Sequence, residues 1–173
     1  MIWIDLDETL IHAAEQPVAN CQVEVNLPRE RLWFGCRPGA NECLKALREL
    51  AEVRMLTVAT HAYASAANAC FEFGFESGQI VAREQWVQGW VVERAGKMFC
   101  DIDLGGVLID NKSADYWHRY KRLYLGIGQD RLLLVPDYYG GLSDSWPSAI
   151  PSLVGKVREL LARKSGSRLD GPR

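Results

Sequence analysis

Apolar and polar positions change period along the chain, and each change marks an element. The opening MIWIDL is apolar at nearly every position, which predicts a strand buried on both faces over Met1 to Leu6. CQVEVNLPRERLWFGC then switches to period two. Val23, Val25 and Leu27 alternate with polar residues, and a Pro-containing turn leads to Leu32, Trp33 and Phe34, which predicts a hairpin. RPGANECLKALRELAE takes the helical period, with Leu44, Leu47, Leu50 and Ala51 on one face and Asn41 as N-cap. Glu52 to Val58 reads as the next strand, Ala62 to Phe73 as an Ala-rich helix stopped by Gly74, and QIVAR as a short third strand. WVQGWVVERAGK reads as a second small hairpin or loop. Gly106 to Ile109 is a fourth strand ending at Asp110, and Ser113 caps a helix carrying Tyr116, Tyr120, Leu123 and Tyr124. Leu132 to Val135 is a fifth strand. Ile150, Leu153, Val154, Val157, Leu160 and Leu161 stripe a final helix.

Strands alternating with helices predict an α/β fold: a Rossmann-like, parallel five-stranded sheet with helices on both faces. The insertions are two small hairpin-like segments, with no room for a large cap. The 173 residues divide as a single domain over 1–164, with a hairpin insertion at about 20–36, and a polar tail over 165–173.

Composition narrows the function classes. With 48% apolar residues the chain can bury a sizeable core. Its formal net charge of −2 and lack of a basic tract argue against nucleic-acid binding. No apolar window approaches the roughly 20 residues that span a bilayer, and the opening segment lacks the pattern of a secretory signal. Five cysteines, odd in number and without CxxC spacing, suggest reduced thiols and a cytoplasmic location. The GIGQD at Gly126 lacks the third glycine of a dinucleotide fingerprint and precedes a strand instead of following one, and no GxxxxGK[ST] loop exists.

Candidate chemistry collects at strand ends. In open parallel sheets ligands bind outside the carboxyl ends of the strands. There the first strand delivers Asp5 and Asp7, the second Thr57, and the fourth Asp110 and Asn111. Carboxylates this close repel unless a cation or a phosphoryl group separates them. Mg²⁺ suits the set, because it is satisfied by one or two carboxylates, waters and a substrate oxygen. A lysine after the third strand, Lys97 with Arg94 as the alternative, balances further negative charge. Thr57, with Thr60 as its alternative, donates to a phosphoryl oxygen. A carboxylate can itself accept the phosphoryl group, and the whole outlines a phosphoryl-transfer site.

DLDETLIH resembles the signature of the haloacid dehalogenase (HAD) superfamily, and more closely that of its small C-terminal-domain phosphatases, the FCP/SCP-like branch. RPGANECL is similar to the branch's Arg-Pro segment, EVRMLTVATHAYA to its second motif, VLIDNKS to its fourth, and VPDYYGGLSDS to the segment after its last strand. The likeness spans roughly residues 1 to 160. It implies a HAD-like fold and a Mg²⁺-dependent phosphomonoester hydrolase working through an aspartyl-phosphate. Asp5 would be the nucleophile and Asp7 the general acid and base. Mg²⁺ would be held by the carboxylates of Asp5 and Asp110 and the backbone carbonyl of Asp7. Thr57 and Lys97 would bind the phosphoryl group, Asn111 would assist beside it at the metal edge, and Thr9 would brace the loop. The implied substrate is a phosphoprotein, phosphopeptide or small phosphoester. Eukaryotic members place an aromatic after the His of the first motif to hold a substrate Pro; here AAEQPV puts Glu15 at about that point, so a Ser-Pro phosphopeptide is not implied. The alternative is a catalytically inactive HAD-like binding module, although such relatives usually lose a carboxylate and here all three are present. Carbon–halogen cleavage, the superfamily's other chemistry, needs no second Asp.

Overall fold

The computed structural model describes residues 1–21, 23–28, 30–85, 91–94, 97–102, 106–113, 116, 123–125, 129–141 and 143–163; at 91–94, 97–102, 123–125 and 129 the description is of the backbone. The strands are β1 (Ile2–Ile4), β2 (Ile11–Ala14), β3 (Val23–Asn26), β4 (Arg31–Cys36), β5 (Val53–Leu56), β6 (Ile80–Val81), β7 (Val91–Arg94), β8 (Lys97–Ile102), β9 (Val107–Asp110), β10 (Leu123–Leu125) and β11 (Leu132–Leu134). The main helices are α1 (Ala40–Arg48), α2 (His61–Cys70) and α3 (Trp146–Ala162).

The central sheet has five strands in the order β11-β9-β1-β5-β6, every neighbouring pair parallel. The chain builds outward from β1 first through β5 to β6, then returns on the other side with β9 and β11. Strand order therefore reverses at β1, and the carboxyl end of β1 is where such a sheet opens its crevice. Ile2 and Ile4 are fully buried, as are Met55, Leu56, Val107 and Ile109 on the flanking strands. Each such side chain contributes about 1.5–3 kcal/mol on burial. Continuous apolar runs are thus what this sheet requires of its central strands.

One glycine sets the register that matters for the site. Gly106 has φ +118°, and a Cβ there would lie 2.0 Å from the carbonyl oxygen of Met1. Without a side chain, Val107 can donate its N–H to that carbonyl at 3.2 Å. From there the pairing runs Ile2 with Val107 and Ile4 with Ile109. Asp5 and Asp110 consequently leave neighbouring strands at the same level.

α1 buries Ala40, Cys43, Leu44 and Leu47, and α3 buries Trp146, Leu153, Val157 and Leu160. A second, antiparallel sheet has the order β2-β4-β3. The period-two pattern predicts its β3/β4 hairpin but not β2, which the loop after β1 adds as a third strand. A third small sheet, β10-β8-β7, contains the second hairpin. Among the described residues no helix is long and apolar enough to cross a membrane. Cys21, Cys36, Cys43 and Cys70 are free thiols.

Three local expectations are corrected. Asn41 does not cap α1: the N-cap is Gly39, with no side-chain cap bond, and Asn41 instead donates from Nδ2 to the Phe71 carbonyl at 3.0 Å. α2 ends at Cys70, before Phe73, because Glu72 already takes a left-handed backbone (φ +53°) ahead of Gly74 (φ +74°). The helix after Ser113 does not extend to Leu123 and Tyr124, which lie in β10 and pair in parallel with β8. Tertiary pairing there overrides a local helical spacing. Ser113 does take the Tyr116 N–H, on Oγ at 3.3 Å, while Tyr120 lies outside the described residues.

Candidate active site

The loop after β1 is wound so that its two carboxylates part company. Leu10 and Ile11 both donate N–H bonds back to the Leu6 carbonyl, at 2.9 and 3.1 Å, and Glu8 takes a left-handed backbone with φ +57°. A glutamate in that region is uncommon and costs on the order of 1–3 kcal/mol, a cost concentrated at functional sites. Tyr138 N–H holds the Glu8 carbonyl at 2.8 Å. Asp5 follows directly on β1, whereas Asp7 stands where the turn through Glu8, Thr9 and Leu10 begins.

Asp5 is 4% exposed and Asp110 is fully buried. The Thr9 hydroxyl donates to Asp5 Oδ2 at 3.0 Å. Asn111 N–H donates to the same Thr9 oxygen at 3.2 Å, so Thr9 ties the end of β1 to the end of β9. Asp110 Oδ1 accepts the Lys112 N–H at 2.7 Å. Burial pushes the Asp5 carboxyl well above its ordinary range; the charges of Asp110 and then Asp7 add to this, and the bonds from Thr9 and the Leu6 backbone oppose it.

Asp7 lives among donors. The Tyr63 phenol donates to its Oδ1 at 2.5 Å and the Thr57 hydroxyl to its Oδ2 at 3.4 Å. Thr57 is fully buried just past the end of β5, and its oxygen also accepts the Ala59 N–H at 3.1 Å. Thr60 is engaged differently, as the N-cap of α2, accepting the Tyr63 N–H. Burial, then the Asp7 charge, raise the Tyr63 phenol far above its ordinary value, so it stays a donor.

Two adjoining clefts meet at this wall. The smaller, about 230 Å³, is lined by Asp5, Asp7, Glu8, Val58, Asn111, Lys112 and Tyr116. The larger, about 410 Å³, shares Asp7, Glu8 and Val58 and continues past Glu30, Leu32, Tyr63 and Arg83. Asp7 therefore stands between a chamber that contains Asp5 and a groove floored partly by the β2-β4-β3 insertion.

A brace stands behind the chamber. Arg37 is 1% exposed, and a charge so buried must be paired. Its Nε lies 2.6 Å from Asp144 Oδ2, its Nη1 donates to the Thr9 carbonyl at 3.2 Å, and its guanidinium sits 4.3 Å from the Trp146 ring centroid. A continuous line thus runs from the start of α3 through Arg37 and Thr9 to Asp5.

The donor set suits Mg²⁺. Among the described residues no three His, Cys, Asp or Glu side chains gather closely enough to hold a metal between them. Mg²⁺ does not need three: two carboxylates, a backbone carbonyl and waters satisfy it. Asp5 and Asp110 are the buried pair, and Asp7, whose carboxylate is taken by Tyr63 and Thr57, is left its backbone carbonyl for the role. Cysteine chemistry is a poor alternative, since burial pushes Cys36 up to about 11 and Cys43 up to about 12, far from the reactive thiolate.

A model of the NLI interacting factor-like phosphatase family matches residues 1–145. The chain belongs to that family. Membership places it among phosphatases of the HAD-like FCP/SCP branch. Two solved structures share the fold. One is a point variant of the fission yeast RNA polymerase II CTD phosphatase Fcp1 bound to beryllium fluoride, 20% identical with a TM-score of 0.56, the match covering 95% of this chain and 51% of that one. The other is Fcp1 described as an essential RNA polymerase II CTD phosphatase, 17% identical with a TM-score of 0.57, covering 96% and 54%. The chain spans about half the length of these structures, and at such identities the likeness carries the fold alone. No curated protein matches the chain.

Of the residues that the resemblance to this family singles out, Asp5, Asp7, Thr57, Asp110 and Asn111 converge at one sheet edge. Lys97 begins β8 and pairs with Arg94 across the β7/β8 hairpin. The side chains of both lie outside the described residues, so the choice between them does too. Lys112, Tyr63, Arg37, Asp137 and Arg83 belong to the surroundings; the first four fall within the segments that carry the resemblance, which gives none of them a site role. Lys112 had a signal, since it directly follows Asp110 and Asn111 at a strand's carboxyl end. Tyr63 had one as well, on the first turn of the helix after Thr57. The partnership of Arg37 with Asp144 spans 107 residues and has no local signature.

Proposed function

We propose that the chain is a Mg²⁺-dependent phosphomonoester hydrolase that works through an aspartyl-phosphate on Asp5. The observation that carries this reading is the division of labour between two carboxylates two positions apart. Asp5 is buried and fixed by Thr9, whereas Asp7 is held by hydroxyls at the meeting of two clefts.

An Asp5 carboxylate oxygen attacks phosphorus, and the ester P–O bond breaks. Asp7 gives its proton to the departing oxygen, so the leaving group departs as an alcohol. Asp7, now a carboxylate, takes a proton from water, the water oxygen attacks phosphorus, and the Asp5–O–P bond breaks to release phosphate. The single Thr57 hydroxyl proton orients Asp7 in the resting site and turns to a phosphoryl oxygen when substrate is bound, and Asn111 lines the chamber beside it. Asp5, Asp110 and the Asp7 carbonyl would hold Mg²⁺, which when bound supplies positive charge to the phosphoryl oxygens and separates the carboxylates. Lys97 is the lysine that the family resemblance assigns to phosphoryl binding.

The open groove beside Asp7 supports a phosphoester on a protein, a peptide or a small molecule. The test is turnover of p-nitrophenyl phosphate, phosphopeptides and phosphorylated oligonucleotides, each with Mg²⁺ and with EDTA. Hydrolysis with Mg²⁺ and none with EDTA is expected. Full activity in EDTA would overturn the metal requirement, and no turnover of any substrate would favour a binding module.

A further inference from the structure

The smaller cleft has a cation on its wall whose ties are all to movable or replaceable partners. Lys112 follows Asp110 and Asn111 at the end of β9. Its ammonium lies 2.8 Å from Asp137 Oδ1 and 3.6 Å from Glu8 Oε2, and 5.8 Å from the Tyr116 ring centroid. It lines the chamber together with Asp5, Asp7 and Asn111, and among the described residues it is the one cation that does so. The chamber is where a phosphoryl group attacked by Asp5 must sit.

Asp137 is built to lose this lysine without being stranded. Its Oδ1 also accepts Asn111 Nδ2 at 2.6 Å, and its Oδ2 accepts the Tyr139 hydroxyl at 2.8 Å. The side chains of Lys112 and Asp137 are 25% and 35% exposed. A lysine–carboxylate pair that exposed contributes little, so exchanging it costs little. A phosphoryl group carries more charge than a carboxylate and is the stronger acceptor. Lysine suits the exchange, being a compact charge on a flexible stem.

We propose that Lys112 binds the phosphoryl oxygens of the substrate, and that Asp137 is its resting partner, exchanged for those oxygens when the chamber fills. The proposal rests on the phosphomonoesterase reading, and it adds Lys112 to the phosphoryl-binding role that the family resemblance implies for Lys97.

Inorganic phosphate, the reaction's product, is the probe. Its inhibition constant against p-nitrophenyl phosphate is measured with Mg²⁺ for the wild-type chain, Lys112→Ala, Lys112→Arg, Asp137→Asn, the Lys112→Ala/Asp137→Asn double variant and Lys97→Ala. Lys112→Ala is expected to weaken phosphate by about tenfold or more, the usual scale for losing a charged hydrogen bond, and Lys112→Arg to recover part of that loss. Asp137→Asn is expected to tighten phosphate, because the lysine is released, and the double variant to match Lys112→Ala. An ion pair that serves only the fold would lower the melting temperature in both single variants and leave the inhibition constant unchanged, which overturns the proposal. So does a loss of phosphate binding in Lys97→Ala with none in Lys112→Ala. Active wild type with an unaffected Lys112→Ala overturns this inference alone. Wild type that neither turns over substrate nor binds phosphate overturns the functional reading with it.

Discussion

Asp5 and Asp7 are separated by one leucine, yet they occupy opposite environments. Asp5 is 4% exposed, is repelled by Asp110, and among the described residues has one side-chain donor, Thr9. Asp7 reaches two clefts and receives two hydroxyls, from Tyr63 and Thr57. The first environment immobilises a carboxylate and strips it of water, as a nucleophile in line with phosphorus requires. The second orients a carboxylate at the edge of two clefts, within reach of an entering leaving group or water, as a proton carrier requires. Asp5 follows directly on β1 and Asp7 opens the turn that Glu8 continues with a left-handed backbone, so the two carboxylates leave the chain in different settings. Two chemically identical side chains thus acquire distinct environments from backbone direction and hydrogen-bond donors, and the proposed mechanism gives them distinct tasks.

The sharpest way to break this comparison is to remove each carboxylate's chemistry in turn. Asp5→Asn is expected to reduce turnover to background with every substrate, because an amide does not attack phosphorus. Asp7→Asn is expected to slow alkyl phosphates by about 10²–10⁴-fold and aryl phosphates with good leaving groups much less. Steady-state rates across a leaving-group series measure both. Equal losses in the two variants, or no dependence on leaving group for Asp7→Asn, would show that the environments do not divide the labour.

The Asp5 side also leans on structure that the Asp7 side does not use. Arg37 reaches Thr9 from Asp144, and removing one partner of a buried pair costs about 3–5 kcal/mol. Arg37→Ala is expected to lose stability on that scale in urea unfolding. A change below about 1 kcal/mol would mean that the brace is ornamental.

How much of this arrangement could be read in advance follows from the range of each interaction. The positions of Asp5, Thr57 and Asp110 at strand ends follow from apolar runs such as Ile2–Ile4 and Val107–Asp110, which announce buried strands without knowledge of anything distant. The rule that ligands sit at carboxyl ends then brings them together. The β2 strand has no such run: IHAA becomes a strand because Arg31–Cys36 lies beside it. Leu123 and Tyr124 carry helical spacing but are captured by β8. Arg37 stands in the Arg-Pro segment with nothing local to name its partners, Asp144 and Trp146, which close over it from more than 100 residues away. Tyr63 reads as one face of an Ala-rich helix until its hydroxyl meets Asp7. Local pattern is legible where burial alone decides it, and fails where a partner far along the chain decides.

Tyr63 offers a finer cut, because it alters the environment of Asp7 and leaves the carboxylate in place. Tyr63→Phe removes the donor to Asp7 Oδ1 while keeping the ring beside Phe34, whose centroid lies 4.9 Å away. A hydrogen bond to a charged group is worth about 1.5–3 kcal/mol, so turnover of alkyl phosphates is expected to fall by roughly 10–100-fold. Asp5 is untouched, so aryl phosphates are expected to suffer less. A uniform loss across leaving groups would instead place the phenol's effect on binding or folding.

The smallest expected effect separates the two carboxylates without any turnover. Burial, and then the charges of Asp110 and Asp7, hold the Asp5 carboxyl above its ordinary value in the folded chain. The folded state therefore keeps a proton that the unfolded state releases near pH 4. Stability from that proton is fully present below the unfolded value and is lost as pH rises through the folded one. Metal-free wild-type protein is thus expected to melt at a lower temperature as pH rises from about 4 toward 8. Asp5→Asn carries no titrating group there, so its melting temperature should fall less over the same range and exceed that of wild type at the upper end. Mg²⁺ should raise the wild-type melting temperature more at the upper end than at the lower, since it competes with the proton for Asp5. Asp7→Asn is the control, because two hydroxyls already meet that carboxylate. If Asp7→Asn stabilised the metal-free protein at high pH and Asp5→Asn did not, the buried, repelled carboxylate would be Asp7, and the division between the two environments would have to be reversed.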